Sequence, residues 1–231
     1  MAAASRIRST RKRSPAFESV PAGKGFPERR LPQFRPLVNL HTRDIEQAHI
    51  CLAVPGLSAI NPRRYAFSLM NTILGGNMSS RLFQEVREKR GLAYSVFSFI
   101  SPHVDTGMFG VYLAVSPEKA LSAVELVLRE ISRLRDEKVD ASELRGAIEY
   151  TKGNLLLASE SADNQMVRIA QNEILYNRDI PIDALLASVE SVTVEDIQQM
   201  AETVSHRDRM VLTLLGPVDT PQQAFERCLL A

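Results

Sequence analysis

Hydrophobic and polar residues alternate with a period of two in the segment QAHICLAVP at 47–55. This period predicts a half-buried β-strand. A helical pattern then begins at Asn61 and ends at the glycine pair Gly75 and Gly76, which we interpret as a turn between two helices. The patterned part of the chain therefore starts with a strand and a helix, and the glycine turn is also a candidate hinge.

The segment SRLFQEVREKR is predicted to be a second helix, with Ser79 or Ser80 as its N-cap. Gly91 ends this helix, and the basic residues of the last turn suit the helix dipole. Two strands follow, AYSVFSFI at 93–100 and GMFGVYLAV at 107–115, and both are rich in aromatic and β-branched residues. The short loop SPHVDT between them favours an antiparallel pair.

The second half of the chain is predicted to be mostly helical. Ser116 and Pro117 form an N-cap and first-turn pair for a helix whose apolar residues recur at spacings of three and four. Asp140 and Glu143 have the spacing of a capping box, and they open a helical region that is interrupted near Asp163, Pro181 and Thr193. A last strand, RMVLTLLG, closes the pattern.

The predicted order of elements is β-α-α-β-β-α-α-α-α-α-β. It indicates an α+β fold in which an antiparallel or mixed β-sheet is covered on one face by helices. We assign the folded domain to residues 37–231 and a disordered basic tail or linker to residues 1–36, which are rich in Arg, Ser and Pro. An Arg-rich, acid-poor start is also typical of an organellar transit peptide, and a truncated gene product is a third interpretation.

Charge separates this tail from the body of the chain. Residues 1–36 hold nine of the 28 Lys and Arg residues but only two of the 27 Asp and Glu residues, so the body is mildly acidic. We expect no nucleic-acid partner, because the basic run RIRSTRKR lacks the aromatic residues of a stacking platform. We also expect no membrane partner, because no apolar run is long enough to span a bilayer.

This sequence lacks the motifs of several kinds of catalytic centre. The four histidines share no helix face, and neither H-x-x-E-H nor H-E-x-x-H occurs, so we expect no metal site built by this chain. There is no G-x-S-x-G elbow, and neither Cys51 nor Cys228 lies beside a histidine. Gly75 and Gly76 are not followed by the G-K-[ST] of a phosphate loop.

Arg87 and Tyr94 remain as candidate functional residues. Arg87 lies near the end of the second predicted helix, and Tyr94 opens the following strand. Arginine supplies a permanent cation with forked donors and tyrosine a neutral hydroxyl, so together they are able to hold a peptide carbonyl and stabilise a tetrahedral oxyanion. Spacing alone leaves open the alternative of a solvated arginine and an ordinary strand tyrosine.

One long run around these two residues is more specific, RYAFSLMNTILGGNMSSRLFQEVREKRGLAYSVFSFISPHVDTGMFGVYLAVSPEKA. Its most distinctive portion is LGG-x-MSSRLFQE-x-REKRGLAYSV. The run resembles the C-terminal half-domain of the pitrilysin/insulinase superfamily of zinc peptidases, in the branch that includes mitochondrial processing peptidase. A fainter similarity extends from about Leu37 through ES-x(4)-M at Glu160–Met166 to LLGPV near the end.

In that family two homologous halves close around a peptide like a clamshell. One half holds zinc with H-x-x-E-H and a distant Glu, and the other supplies an Arg and a Tyr seven residues apart, which Arg87 and Tyr94 match. The resemblance thus implies a LuxS/processing-peptidase type of half-domain that binds a peptide substrate through this pair, has no zinc of its own and is not active alone. The implied partner is a homologous zinc-bearing half in a separate chain, or alternatively a second copy of this chain in a homodimer.

Two other functions remain open under the same resemblance. The chain is alternatively a catalytically silent structural or interaction subunit, like the core subunits of some respiratory assemblies, or a truncated fragment of a longer peptidase. The similarity of the body to bacterial members predicts a cytoplasmic location. The basic tail at 1–36 makes the mitochondrial matrix the alternative.

Overall fold

The computed structural model describes residues 32–230, which form a mixed β-sheet packed against helices. The strands within these residues are β1 (Leu37–His41), β2 (Ala48–Pro55), β3 (Ala93–Pro102), β4 (Gly107–Val115) and β5 (Val211–Leu215). The α-helices are α1 (Arg64–Gly75), α2 (Ala120–Asp136), α3 (Ala141–Ser159), α4 (Ala162–Tyr176), α5 (Ile182–Glu190), α6 (Val194–Val204) and α7 (Gln222–Leu230). A π-helix covers Phe83–Glu88, and 3-10 helices cover Pro117–Lys119 and Arg207–Arg209.

The five strands lie in the order β1-β5-β2-β4-β3. β1 and β5 are parallel, with Leu37 opposite Val211, and the remaining neighbours are antiparallel. β3 and β4 form the predicted antiparallel hairpin, and β3 is the edge strand of the sheet. The α+β fold and its mixed sheet are therefore confirmed.

One face of the sheet carries the core. Alternate residues of β2 are buried, and the same holds for the residues of β4 opposite them. The ring of Phe67 on α1 meets the ring of Phe109 on β4 edge-on, with 6.2 Å between centroids, which places α1 over this face. Burial of this apolar surface is the main force that holds the helices to the sheet.

The other face of the sheet is only partly covered within residues 32–230. His49 and Tyr112 join across it, with 2.7 Å between His49 Nδ1 and the Tyr112 hydroxyl. The rings of Tyr112 and Phe97 lie 5.1 Å apart, and Phe97 is 43% exposed. An apolar and aromatic sheet face of this kind is a surface on which another element or chain is able to pack.

Two elements were missing from the predicted order. β1 is short, and its strand partner β5 is far away along the chain, so the pairing depends on a contact that local pattern does not reveal. α7 lies at the end of the chain and holds its place by burying Phe225 and Leu229. Both misses concern short elements that tertiary packing stabilises.

Two predicted helix starts were wrong in detail. Ser80 directly precedes the helical segment, and its carbonyl accepts from the Gln84 amide at 3.0 Å, but neither serine caps the helix with its side chain. The Ser80 hydroxyl donates to the Asn77 carbonyl, and Asn77 Oδ1 accepts from the Ser79 amide at 2.8 Å. The segment that follows is mainly a π-helix and not an α-helix. At α3, Asp140 is the N-cap and accepts from the Ser142 amide, but Glu143 does not close a capping box because Arg81 binds it.

Most of the predicted tail at 1–36 lies outside the described residues, and the domain boundary at residue 37 stays a prediction. β1 begins at Leu37. Within residues 32–230 there is no helix with both the length and the apolar character needed to cross a membrane.

Candidate substrate-contacting site

Arg87 is positioned by the π-helix at Phe83–Glu88. The buried side chain of Val86 anchors this helix in the core, and the turn after it is closed by Gly91 in the left-handed region, with φ of 56°. The Gly91 amide donates to the Arg87 carbonyl at 3.1 Å and the Leu92 amide to the Val86 carbonyl at 2.9 Å. The wider turns of a π-helix are uncommon and occur often at functional sites.

Tyr94 is positioned by an irregularity in β3. Ala93 lies opposite Val115 and Ser95 lies opposite Ala114, so Tyr94 is the extra residue of a β-bulge in the edge strand. Bulges redirect a side chain and interrupt the pairing of a strand. The side chain of Tyr94 is accordingly 77% exposed, although it stands beside the buried Ala93.

The two irregular segments bring Arg87 and Tyr94 together. The guanidinium carbon of Arg87 lies 4.8 Å from the centroid of the Tyr94 ring and 4.9 Å from that of Phe83. The cation thus lies over two aromatic rings. A guanidinium has five N–H donors, and a cation–π contact does not use them up, so the donors of Arg87 are able to bind an oxygen ligand.

The charges around Arg87 leave its cation largely uncompensated. Among residues 32–230 its nearest carboxylate is Glu88, at 3.7 Å from Nε, and this pair is exposed and therefore weak. Glu85, on the same π-helix, is bound at 2.7 Å by Lys89 and also by Arg90. Lys89 first, and then Arg90, hold the pKa of Glu85 below its ordinary value by hydrogen bonding to the carboxylate. Glu85 is therefore engaged elsewhere, and Arg87 presents positive charge to solvent.

Gly75 and Gly76 lie at the end of α1. Gly75 is buried, and a Cβ there would come within 2.5 Å of the Ser98 amide nitrogen on β3. Gly76 is the C-cap, and its amide donates to the Thr72 carbonyl at 3.3 Å. Both glycines line a cavity of about 780 Å³, whose wall also includes Phe83. The turn is thus closely packed on one side, and a hinge role stays a prediction.

The described residues do not fit a zinc ion. Among residues 32–230 there is no group of three or more His, Cys, Asp or Glu side chains that could hold a metal. His49 is bound by Tyr112, and His206 has only a distant contact of 4.0 Å with Asp208. Structural and catalytic zinc sites need at least three converging protein ligands, which this part of the chain does not bring together.

The two cysteines do not form a reactive centre. Both are free thiols and half-buried. Burial raises the pKa of Cys51, and burial together with the nearby Glu125 raises the pKa of Cys228 against the opposing effect of Arg207. A raised pKa keeps a thiol protonated and a poor nucleophile.

Sequence reasoning missed the part that Phe83 plays. Its ring stacks on the Arg87 guanidinium from four residues earlier in the same helix. The spacing of i and i+4 was visible in the sequence, and such a pair commonly meets on a helix face. The bulge at Tyr94 had no comparable signal, because neither glycine nor proline marks it.

Comparison with known proteins places this arrangement in a family. The family described as the peptidase M16 inactive domain matches residues 13–150, which is more than half of the chain. An uncharacterized zinc protease of Streptomyces coelicolor is 39% identical over 185 residues, covering 80% of this chain and 40% of that protein. An uncharacterized zinc protease of Bacillus subtilis is 33% identical over 186 residues, covering 80% and 45% respectively. The chain thus spans less than half the length of these relatives.

Solved structures agree with this placement. The crystal structure of a peptidase M16 inactive domain from Pseudomonas fluorescens aligns with a TM-score of 0.75 at 26% identity, covering 86% of this chain and 48% of that one. A protease from Helicobacter pylori has the same fold, with a TM-score of 0.76 at 17% identity and coverage of 85% and 48%. The resemblance to pitrilysin/insulinase-type peptidases is confirmed, and the chain belongs to the peptidase M16 family as a form of its inactive domain.

Proposed function

We propose that this chain is the substrate-binding, non-zinc half of a two-part peptidase, in which Arg87 and Tyr94 hold the peptide at a zinc site supplied by a homologous half. The observation that carries the proposal is the stacked pair itself, with the guanidinium carbon 4.8 Å from the Tyr94 ring. The chain belongs to a family whose domain is described as inactive, and its bacterial relatives are named as zinc proteases. Both facts support the proposal.

The two residues have distinct tasks in this proposal. Arg87 donates hydrogen bonds to the carbonyl oxygen of the peptide and carries the positive charge that a developing oxyanion needs. The hydroxyl of Tyr94 is a second donor that adds no charge. Phe83 and the Tyr94 ring hold the guanidinium in place before substrate arrives, so little side-chain entropy is lost on binding. The metal chemistry belongs wholly to the partner half.

The partner in this proposal is a homologous zinc-bearing half in a separate chain, because a homodimer would add only a second copy of a sequence without H-x-x-E-H. The length of the relatives supports such a half, because this chain spans only 40% and 45% of the two bacterial zinc proteases. The partly covered sheet face that contains Tyr112 and Phe97 offers apolar surface for the closed assembly. Because these relatives are bacterial, we also propose a bacterial cytoplasmic location over the mitochondrial matrix.

A catalytically silent subunit is the competing function. A chain of complex III2 from Candida albicans aligns with a TM-score of 0.71, but at 16% identity this likeness concerns the fold alone. No feature of the Arg87 and Tyr94 pair favours that function. It becomes the preferred function if this chain adds no peptidase activity to any zinc-bearing half.

The test is reconstitution. The purified chain is mixed with a zinc-bearing homologue from the same organism, and hydrolysis of a quenched unstructured peptide is followed. We expect Arg87→Ala to lower kcat by about 10²–10³-fold, the cost of one oxyanion donor. Arg129→Ala is the matched control, since Arg129 is an exposed arginine on α2. Equal turnover in the two variants would refute the proposed role of Arg87.

A further inference from the structure

We propose that a second cavity of the fold, at the start of α1, is a binding site for a small monocarboxylate with an apolar chain. The cavity lies between the loop after β2, the start of α1, the end of β3, and helices α3, α4 and α5. We call it the Arg64 cavity, because Arg64 is the only charged side chain among the described residues that line it. It shares no residue with the Arg87 and Tyr94 pair, and the inference does not depend on the proposed function.

The Arg64 cavity has the size and the apolar lining of a small-molecule site. Its volume is about 310 Å³, at the lower end of the range typical for ligand pockets. Protein interiors otherwise pack with few voids larger than a water molecule. Four helices and β3 supply the apolar part of the wall, with Phe67, Ile100, Leu155, Leu175, Leu185 and Val189. Such a wall binds an apolar chain by the hydrophobic effect.

Arg64 places a positive charge on this wall. Within residues 32–230 its hydrogen bonds go to two neutral oxygens, the Asn61 carbonyl at 3.2 Å and the Tyr65 hydroxyl at 2.7 Å, and no carboxylate pairs with it. The guanidinium carbon lies 4.3 Å from the centroid of the Tyr65 ring and 5.0 Å from that of the Tyr176 ring. The two rings hold the cation in place and do not neutralise it. A half-buried cation beside apolar surface favours an anionic ligand, because an unpaired charge is costly to remove from water.

Donors for a carboxylate are present at the same place. A guanidinium has five N–H groups, and the two bonds above use two of them in Arg64, which leaves three. Ser68 lies one turn later on the same face of α1 and also lines the cavity. Its hydroxyl has no hydrogen-bond partner among the described residues, and only its carbonyl accepts, from the Thr72 hydroxyl at 3.1 Å. The carboxylate therefore binds at Arg64 and Ser68, and the apolar chain extends between α3, α4 and α5.

Size and charge together define the class of ligand. A water molecule takes up about 30 Å³ in the liquid and a methylene group is of similar size, so the cavity accommodates about ten non-hydrogen atoms. Octanoate is a monocarboxylate of this size. An amine of the same length should be excluded, because the lining formed by the described residues has a cation and no carboxylate.

The first experiment is a calorimetric titration of octanoate, octanol and octylamine into the full chain. We expect octanoate to bind at least about tenfold more tightly than octanol, because hydrogen bonds to a charged group are the stronger ones, and octylamine to bind least. Arg64→Met removes the charge and keeps an unbranched side chain, so it should weaken octanoate at least about tenfold.

Arg63→Met is the matched control for this titration. Arg63 is the neighbouring arginine, is exposed, makes no side-chain cap of α1 and is not part of the lining. We expect Arg63→Met to bind octanoate like the wild type. No binding of octanoate, equal binding of octanoate and octanol, or equal losses in Arg63→Met and Arg64→Met would overturn the site.

The second experiment fills the cavity and leaves Arg64 in place. Thr151 on α3 lines the cavity, so Thr151→Leu should occupy part of it. A ligand that binds only the folded chain raises Tm, and we expect octanoate at ten times its Kd to raise the Tm of the wild type by about 3–6 °C. The rise should be lost in Thr151→Leu and kept in Thr203→Leu, since Thr203 is on α6 and outside the lining.

This second test also applies if Arg64→Met weakens the fold by losing the contacts with Tyr65 and Tyr176. Circular dichroism of each variant without ligand shows that it is folded before octanoate is added. Equal rises of Tm in Thr151→Leu and Thr203→Leu would mean that octanoate binds elsewhere on the chain, and would overturn the site.

Discussion

Arg81 donates two hydrogen bonds to the carboxylate of Glu143, from Nε to Oε1 and from Nη2 to Oε2, each 2.8 Å long. The pair joins the start of the helical segment that carries Arg87 to the first turn of α3. The exposed fractions of the two side chains are 14% and 33%, so the pair is well shielded from solvent. This link fixes both the position of the π-helix and one wall of the cavity that Gly75 and Gly76 line.

Removing Glu143 should destabilise the fold. Glu143→Ala leaves the guanidinium of Arg81 mostly buried without its partner, and Nη1 of Arg81 already has no hydrogen bond among the described residues. We expect the free energy of unfolding in urea to fall by about 1–3 kcal/mol. Glu137→Ala is the control, because its pair with Arg133 is exposed and should contribute less than about 1 kcal/mol. Similar losses in the two variants would contradict a structural role for the Arg81 pair.

Tyr94→Phe separates the hydroxyl from the ring. The ring keeps its stacking contact with Arg87, and Tyr94 is 77% exposed, so stability should change by less than about 0.5 kcal/mol. In the reconstituted peptidase we expect kcat to fall by about 10²-fold, because one oxyanion donor is lost. Ser101→Ala, which removes a hydroxyl near the other end of the same strand, is the control. A wild-type kcat in Tyr94→Phe would leave the tyrosine with a purely positioning role.

Local pattern predicted most of the helices and the hairpin of this fold. The β3 and β4 hairpin was predictable because its strands are adjacent in sequence and aromatic-rich. β1 was not, because its pairing with β5 joins segments at opposite ends of the folded region. The order of strands in the sheet likewise depends on contacts between distant segments, on which local periodicity carries no information.

The candidate site was predictable from resemblance and not from spacing. The i and i+4 spacing of Phe83 and Arg87 is a weak local signal and does not show that Tyr94 joins them. In the structure Arg90 binds Glu85, whereas Arg87 lies over the rings of Phe83 and Tyr94. The difference arises from the π-helix and from the bulge at Tyr94, two irregularities of the backbone that are set by packing. A long run of sequence that resembles a known family indicates that the same backbone irregularities are present, even where no single residue marks them.

Gly75→Ala tests how tightly α1 packs on β3. A Cβ at Gly75 would lie 2.5 Å from the Ser98 amide nitrogen and 2.7 Å from its hydroxyl, so the helix end or the strand has to move. We expect a loss of about 1–3 kcal/mol in urea denaturation, the usual cost of overpacking. Gly153→Ala should instead stabilise by about 0.5–1 kcal/mol, because its surroundings are open and alanine favours a helix. No loss in Gly75→Ala would show that this end of α1 is free to shift, as a hinge requires.

The capping box at the start of α6 should make stability depend on pH. The Thr193 amide donates to Asp196 at 2.9 Å and its hydroxyl at 2.7 Å, while Thr193 Oγ1 accepts from the Asp196 amide. The backbone bond first, and then the hydroxyl bond, hold the pKa of Asp196 below its ordinary value. A depressed pKa in the folded state adds stability above the unfolded pKa of about 3.9, and this stability is lost as pH falls through the folded pKa.

Asp196→Asn removes the charge and keeps the shape of the cap. We expect the variant to be less stable than the wild type by about 0.5–1 kcal/mol near neutral pH, the range for a cap at a helix N-terminus. The difference should vanish in acid, once Asp196 of the folded wild type is protonated. Urea denaturation at a series of pH values measures both curves, and Glu202→Gln, near the other end of α6, is the control. A gap that stays constant down to the acid limit would mean that the carboxylate charge of Asp196 adds nothing to the cap.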